Sequence, residues 1–111
     1  MAYNPICEIL ETTSFTRRIK DLLSDEEYRA IQFALGLRPE QGVVIPGSRG
    51  IRKIRWGQEG RGKRGGIRII YFWHGPTERI YMLLAYRKSE QDDLAEEQIR
   101  ILSRLVEEEF R

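Results

Sequence analysis

An α+β domain, with an antiparallel sheet, two N-terminal helices and a C-terminal helix, is the fold class that this sequence predicts. Apolar residues recur at three- and four-residue spacing in two separated stretches, 14–37 and 89–110. Between them, residues 51–86 change to short alternating or continuously apolar runs divided by glycine- and proline-bearing turns. Strand, two helices, three antiparallel strands and a helix, in that order, make a segregated α+β arrangement. At 111 residues the chain reads as one domain over 1–111.

Ile6–Glu11 reads as the first strand, with Ile6, Ile9 and Leu10 apolar. From Ser14 onward Phe15, Ile19, Leu22 and Leu23 follow a helical period. Ser24-Asp-Glu-Glu27 is a capping box: the Ser hydroxyl and Glu carboxylate each satisfy a free amide at a helix start. The helix behind it carries Tyr28, Ile31, Leu35 and Phe33 or Ala34, and Gly36 and Pro39 end it. The two helices should form a hairpin. Pro39–Gly50 reads as loop.

Ile51–Trp56 alternates, so Ile51, Lys53 and Arg55 share one strand face while Arg52, Ile54 and Trp56 share the other. Gly57–Gly66 holds five glycines and four charged residues and reads as a flexible hairpin loop. In the next strand, Ile67–Trp73, Arg68, Ile70 and Phe72 point one way and Ile67, Ile69, Tyr71 and Trp73 the other. His74-Gly-Pro-Thr77 turns the chain into Arg79–Tyr86, apolar on both faces over Ile80–Ala85 and therefore central in its sheet. The last helix starts at Ser89, with Leu94, Ile101, Leu102, Leu105, Val106 and Phe110 as a core-facing stripe. Acidic residues at its start suit the helix dipole. Glu107–Glu109 at its end do not, and predict fraying unless a partner covers them.

Composition narrows the function. Cys7 is the only cysteine, which excludes an internal disulfide and a multi-thiolate metal site; its apolar neighbours make it a buried small residue. His74, also alone and beside a turn, reads as structural or solvent-facing. No apolar run is long enough to cross a bilayer, and the first residues lack the pattern of a signal peptide, so a cytoplasmic location is expected.

Charge is the informative property. The formal net charge is +2, yet residues 47–88 hold eleven Lys/Arg against two Glu, about +9, and the remainder carries about −7. A concentrated basic face with aromatic residues nearby is the footprint of a polyanion binder. Lys53 and Arg55 leave the same sheet face, and a favourable hairpin register adds Arg68. Three cations on one face repel each other unless solvated or shared by an anion, and phosphate is the natural anion for guanidinium and ammonium groups. Arg61, Lys63 and Arg64 in the glycine-rich loop could lie over a nucleic-acid backbone; neither a Walker loop nor a Rossmann turn is present. Trp56, Tyr71, Phe72, Trp73, Tyr81 and Tyr86 lie in the same strands, and although most must be core, bases can stack on such rings.

Leu-Ser-Asp-Glu-Glu-Tyr (23–28), Gly-Ile-Arg-Lys-Ile-Arg (50–55), Gly-Lys-Arg-Gly-Gly-Ile-Arg-Ile-Ile-Tyr (62–71) and Ala-Tyr-Arg-Lys-Ser-Glu (85–90) together resemble the RelE/HigB toxins of bacterial toxin–antitoxin pairs. The Gly-Lys-Arg-Gly-Gly loop and the strand after it point to the HigB-like branch. The resemblance implies a RelE-like small domain and an activity, cleavage of messenger RNA in the ribosomal A site. It implies no metal and no cofactor, because the attacking group is the RNA 2′-hydroxyl. Ribosome, mRNA and a cognate antitoxin, a helix-turn-helix protein, would be the partners, with no membrane.

By position, the resemblance assigns catalytic roles to Lys53, Arg55, Arg68 and Lys88. Lys53 would bind or protonate, Arg55 would hold phosphate, Arg68 would contact the scissile phosphate, and Lys88 matches the lysine after the last strand. Arg52, Arg61, Lys63, Arg64, Tyr86 and Arg87 would contact RNA or ribosome. Ser89 and Ala95 stand where the RelE branch has an arginine and a tyrosine, which leaves the general base open. A non-catalytic RNA- or ribosome-binding protein of the same fold is the alternative; a DNA-binding repressor ranks last, for want of a basic recognition helix.

Overall fold

A computed structural model describes residues 7–57 and 66–110. The elements are β1 (Glu8–Glu11), α1 (Thr13–Leu22), α2 (Asp25–Leu37), β2 (Val43–Val44), β3 (Arg52–Trp56), β4 (Ile67–His74), a short 3-10 turn (Gly75–Thr77), β5 (Arg79–Arg87) and α3 (Glu96–Phe110). They form one five-stranded sheet in the order β1-β5-β4-β3-β2. The fold is α+β, as the patterning predicts. β5 lies inside the sheet, which is why it is apolar on both faces. The sheet is antiparallel except for β1, which pairs parallel to β5 with Glu8 opposite Arg79.

α1 and α2 cover one face of the sheet. Phe15, Ile19 and Leu22 of α1 and Ile31 and Leu35 of α2 are buried, and they join Ile67, Ile69, Tyr71, Ile80, Met82 and Ala85 of the sheet in one core. Ser24 caps α2 as a complete capping box with Glu27. α1 begins one residue earlier than Ser14, with Thr12 as its N-cap. α2 runs through Gly36 to Leu37, so the helix stop lies at Arg38 and Pro39. Phe33 is exposed, and Ala34 is the half-buried member of that pair.

Residues 39–50 are not loop throughout. Val43 and Val44 form a two-residue edge strand on β3, too short to show as alternation. The approach to it is fixed by Tyr71, whose hydroxyl donates to the Pro39 carbonyl at 2.7 Å and accepts from the Gly42 amide at 2.9 Å. A Cβ on Gly42 would meet the Tyr71 hydroxyl at 2.8 Å, so glycine is required there.

α3 lies on the opposite face, where Val106, Leu102, Leu105 and Phe110 pack with Ile51, Ile70, Leu83 and Tyr86. It starts at Glu96 rather than Ser89, and residues 88–95 cross from β5 to the helix in turns. Its acidic C-terminal end is held from within the chain. Glu107 pairs with Arg49, and the Phe110 ring lies 5.5 Å from Phe72 and 4.7 Å from His74. Helical structure continues to Phe110 on those contacts. His74 is thereby structural, and its Nδ1 also meets the Thr77 hydroxyl at 2.8 Å.

Candidate anion-binding site

The β3–β4 register brings the basic strand residues together. Arg55 stands directly opposite Arg68, and Lys53 opposite Ile70, one step along the same face. The β4–β5 register sets Tyr86 opposite Arg68, so Arg55, Arg68 and Tyr86 form a row across three strands. Tyr86 reaches that row through a β-bulge. Ile70 pairs with Leu84 but Tyr71 with Met82, and Leu83 has no partner in the ladder. The extra residue shifts the alternation by one. Ile80 and Met82 face α1 and α2 before the bulge, whereas Leu84 and Tyr86 face α3 after it. The Thr12 hydroxyl donates to the Leu83 carbonyl at 2.9 Å while accepting from the Phe15 amide, tying the bulge to the start of α1.

Exposure differs sharply within the cluster. Arg55 is exposed, Lys53 half-buried, and Arg68 only 5% exposed. The Arg68 guanidinium lies back against Gly66, where a Cβ would come within 3.0 Å of Nη1. A buried arginine directly across from another arginine is costly unless an anion compensates it. Among the described residues, neither Arg55 nor Arg68 has a carboxylate ion-pair partner.

Asp93 supplies the compensating charge. Its Oδ1 lies 2.9 Å from Lys53 Nζ. That hydrogen bond and the Lys53 charge hold the Asp93 carboxyl below its ordinary range, with smaller help from Arg68 and Arg55. The Tyr86 phenol is pushed up, first by burial and then by Asp93, so it stays protonated at neutral pH. Its hydroxyl is buried without a hydrogen-bond partner among the described residues. The site therefore offers one half-buried ammonium, two guanidinium groups and one unused phenolic donor. All four groups suit a phosphate. Nothing in the residues singles out Asp93 beforehand, since it sits among acidic neighbours that read as the start of a helix.

The other candidate residues are placed elsewhere. Arg52 lies on the α1/α2 side and donates to the carbonyls of Glu40 and Gly42. Arg87 stands opposite Ile67 on that same side, 3.4 Å from the Asp21 carbonyl and 3.8 Å from Glu90. Lys88 follows the end of β5, exposed, with its amide bonded to the Gly66 carbonyl. Arg61, Lys63 and Arg64 lie outside the described residues. Of the aromatic residues, Tyr71, Trp56 and Trp73 belong to the α1/α2 core, and Phe72 and Tyr81 pack beneath α3. Tyr86 alone among these aromatics stands in the cationic row. No helix among the described residues is long and apolar enough to cross a membrane.

No family model matches the sequence. Solved structures do match the fold. The free E. coli toxin RelE carrying two arginine-to-alanine substitutions superposes with a TM-score of 0.60 at 11% identity, over 78% of this chain and 88% of that one. The archaeal RelE–RelB complex from Pyrococcus horikoshii OT3 gives 0.51 at 12% identity, over 75% of this chain and 96% of that one. At such low identity the likeness is one of backbone architecture: this chain has the RelE fold.

Proposed function

We propose that the protein is the toxin of a toxin–antitoxin pair, of the HigB-like branch, and acts as a ribosome-dependent mRNA endoribonuclease. The opposed Arg55–Arg68 pair, with Lys53 beside it, carries this reading. Such a cluster on a RelE fold suits a reaction whose transition state gains negative charge on phosphorus-bound oxygens. The RNA 2′-hydroxyl attacks the adjacent phosphorus and the bond to the 5′-oxygen breaks. The 2′ proton is lost and the departing oxygen gains one, leaving a cyclic phosphate and a 5′-hydroxyl. The protein's contribution is to position the strand and stabilise the charge.

In this mechanism Arg68 grips the scissile phosphate from the sheet floor, Arg55 holds a second oxygen from the exposed side, and Lys53 binds or protonates. Lys88, exposed just after β5, adds its charge from outside the cluster. Tyr86 and the basic residues 52, 61, 63, 64 and 87 extend contact to RNA or ribosome, with Arg52 and Arg87 engaging it from the other face. No cofactor takes part. The P. horikoshii relative was solved as a complex with RelB, which supports a cognate antitoxin, here a helix-turn-helix protein, as the partner. The location is cytoplasmic.

Ser89 and Ala95, where RelE-type toxins have arginine and tyrosine, favour a second reading, a non-catalytic RNA- or ribosome-binding protein of this fold. Induced expression in bacteria with mapping of new mRNA 5′ ends, wild type beside Arg68→Ala, decides between them. In-frame cuts inside translated codons, lost in the variant, are expected. Unaltered mRNA ends on wild-type expression would leave the binding protein.

A further inference from the structure

The cationic cluster already holds an anion. Asp93, in the crossing from β5 to α3, places its carboxylate on Lys53 at 2.9 Å, within reach of the fields of Arg55 and Arg68. The Asp93 side chain is 75% exposed while that of Lys53 is 25% exposed. An ion pair with one partner in water adds little to stability, so opening it costs the fold little. Two further groups beside it are underused. Among the described residues, buried Arg68 has no ion-pair partner and the buried Tyr86 hydroxyl has no hydrogen bond.

We infer that Asp93 is a built-in competitor that sets the ligand selectivity of this site: its carboxylate stands in for phosphate oxygens in the free protein, and a ligand must displace it from Lys53. The inference rests on the reading of the cluster as a phosphate site. A lone phosphate ion has only the cluster itself to gain from and competes poorly with a tethered carboxylate at high effective concentration. A phosphodiester within a strand brings contacts on either side and can dislodge it. The device thus selects polynucleotide phosphates over the free phosphate and small phosphoesters abundant in a cell. Once Asp93 leaves, Tyr86 can donate its hydroxyl to the incoming phosphate beside Arg68.

The probe is inorganic phosphate, titrated by NMR chemical shift against wild type, Asp93→Asn, Asp92→Asn and the double variant Lys53→Met/Asp93→Asn. Asp92 is an exposed neighbour with no ion pair among the described residues, so its variant makes the same change in net charge without opening the site. Asp93→Asn should bind phosphate about tenfold more tightly than wild type. Asp92→Asn should gain less than about threefold, and the double variant should lose the gain. Equal gains from the two asparagine variants, or none from Asp93→Asn, would overturn the inference. The ribonuclease reading fails separately. If mRNA ends never change while Asp93→Asn still gains phosphate affinity, the competitor stands and the enzyme does not; if mRNA is cut and the affinity does not rise, the competitor falls alone.

Discussion

Arg68→Met separates a functional arginine from a structural one, because the two roles move stability in opposite directions. Arg68 is 5% exposed, directly opposite Arg55, with Lys53 one step along the same face. Three cations share one exposed carboxylate, Asp93. Like charges directly opposite on a strand pair are destabilising, on the order of 0.5–1 kcal/mol on the scale of cross-strand pairs. Methionine keeps an unbranched apolar stem of similar reach and removes the charge. The variant should therefore be more stable than wild type by about that amount. For a domain of roughly 100 residues this is a rise in Tm of about 2–8 °C. Loss of a group that contacts developing charge costs about 10²–10³ in rate, so cleavage should fall as stability rises. Differential scanning calorimetry and a translated-mRNA cleavage assay on the same preparation read both quantities. A Tm that falls by more than a few degrees would show that Arg68 is held by interactions the native fold depends on, and the placement of repulsion at this pair would be wrong.

Phe15→Ala, which empties the centre of the α1/α2 core where Phe15 is fully buried and its ring lies 5.7 Å from that of Tyr28, should cost about 3–5 kcal/mol, a large share of the ~5–15 kcal/mol of a typical domain. Urea denaturation measures it, and a loss below about 1 kcal/mol would mean that the core closes elsewhere. The Asp93 carboxyl, held low chiefly by its hydrogen bond to Lys53 and by the Lys53 charge, should titrate at higher pH in Lys53→Ala. The sign is fixed: a depressed carboxyl stabilises the fold above its unfolded pKa, and this contribution is lost as pH falls through the lowered folded value. Side-chain carboxyl NMR reads the shift, and an unmoved Asp93 would dissolve the pair.

The readable parts of the sequence are those where local pattern and tertiary role agree. Alternation in 51–56 places Lys53 and Arg55 on one face because a strand allows nothing else, and Ser24 with Glu27 marks a helix start through chemistry confined to four residues. The parallel pairing of β1 with β5 joins residues some seventy positions apart and leaves no local mark. Val43 and Val44 are too few to show a period. Acidic residues at 90–93 suit a helix N-terminus as well as they suit the segment that carries Asp93, so the pattern alone starts α3 at Ser89 rather than Glu96. Arg52 and Arg87 belong to the basic stretch by proximity in sequence, yet the pleat turns them to the other face.

The bulge at Leu83 shows why the site could be only half read. Strict alternation from Ile80 would put Tyr86 with Met82, against α1 and α2, and would leave Arg68 facing no β5 phenol. One unpartnered residue reverses that, and Thr12 holds it in place from the beginning of the chain. The same insertion lets Leu83 and Leu84 both face α3, which enlarges the apolar patch under Leu102 and Val106. That patch anchors α3, and α3 anchors the crossing that carries Asp93 to Lys53. Leu94, next to Asp93, packs in the same cluster, so packing on this face of the sheet helps to position the countercharge. Residues that never approach a phosphate, Thr12 and Leu83 among them, help to determine how the cationic row is filled.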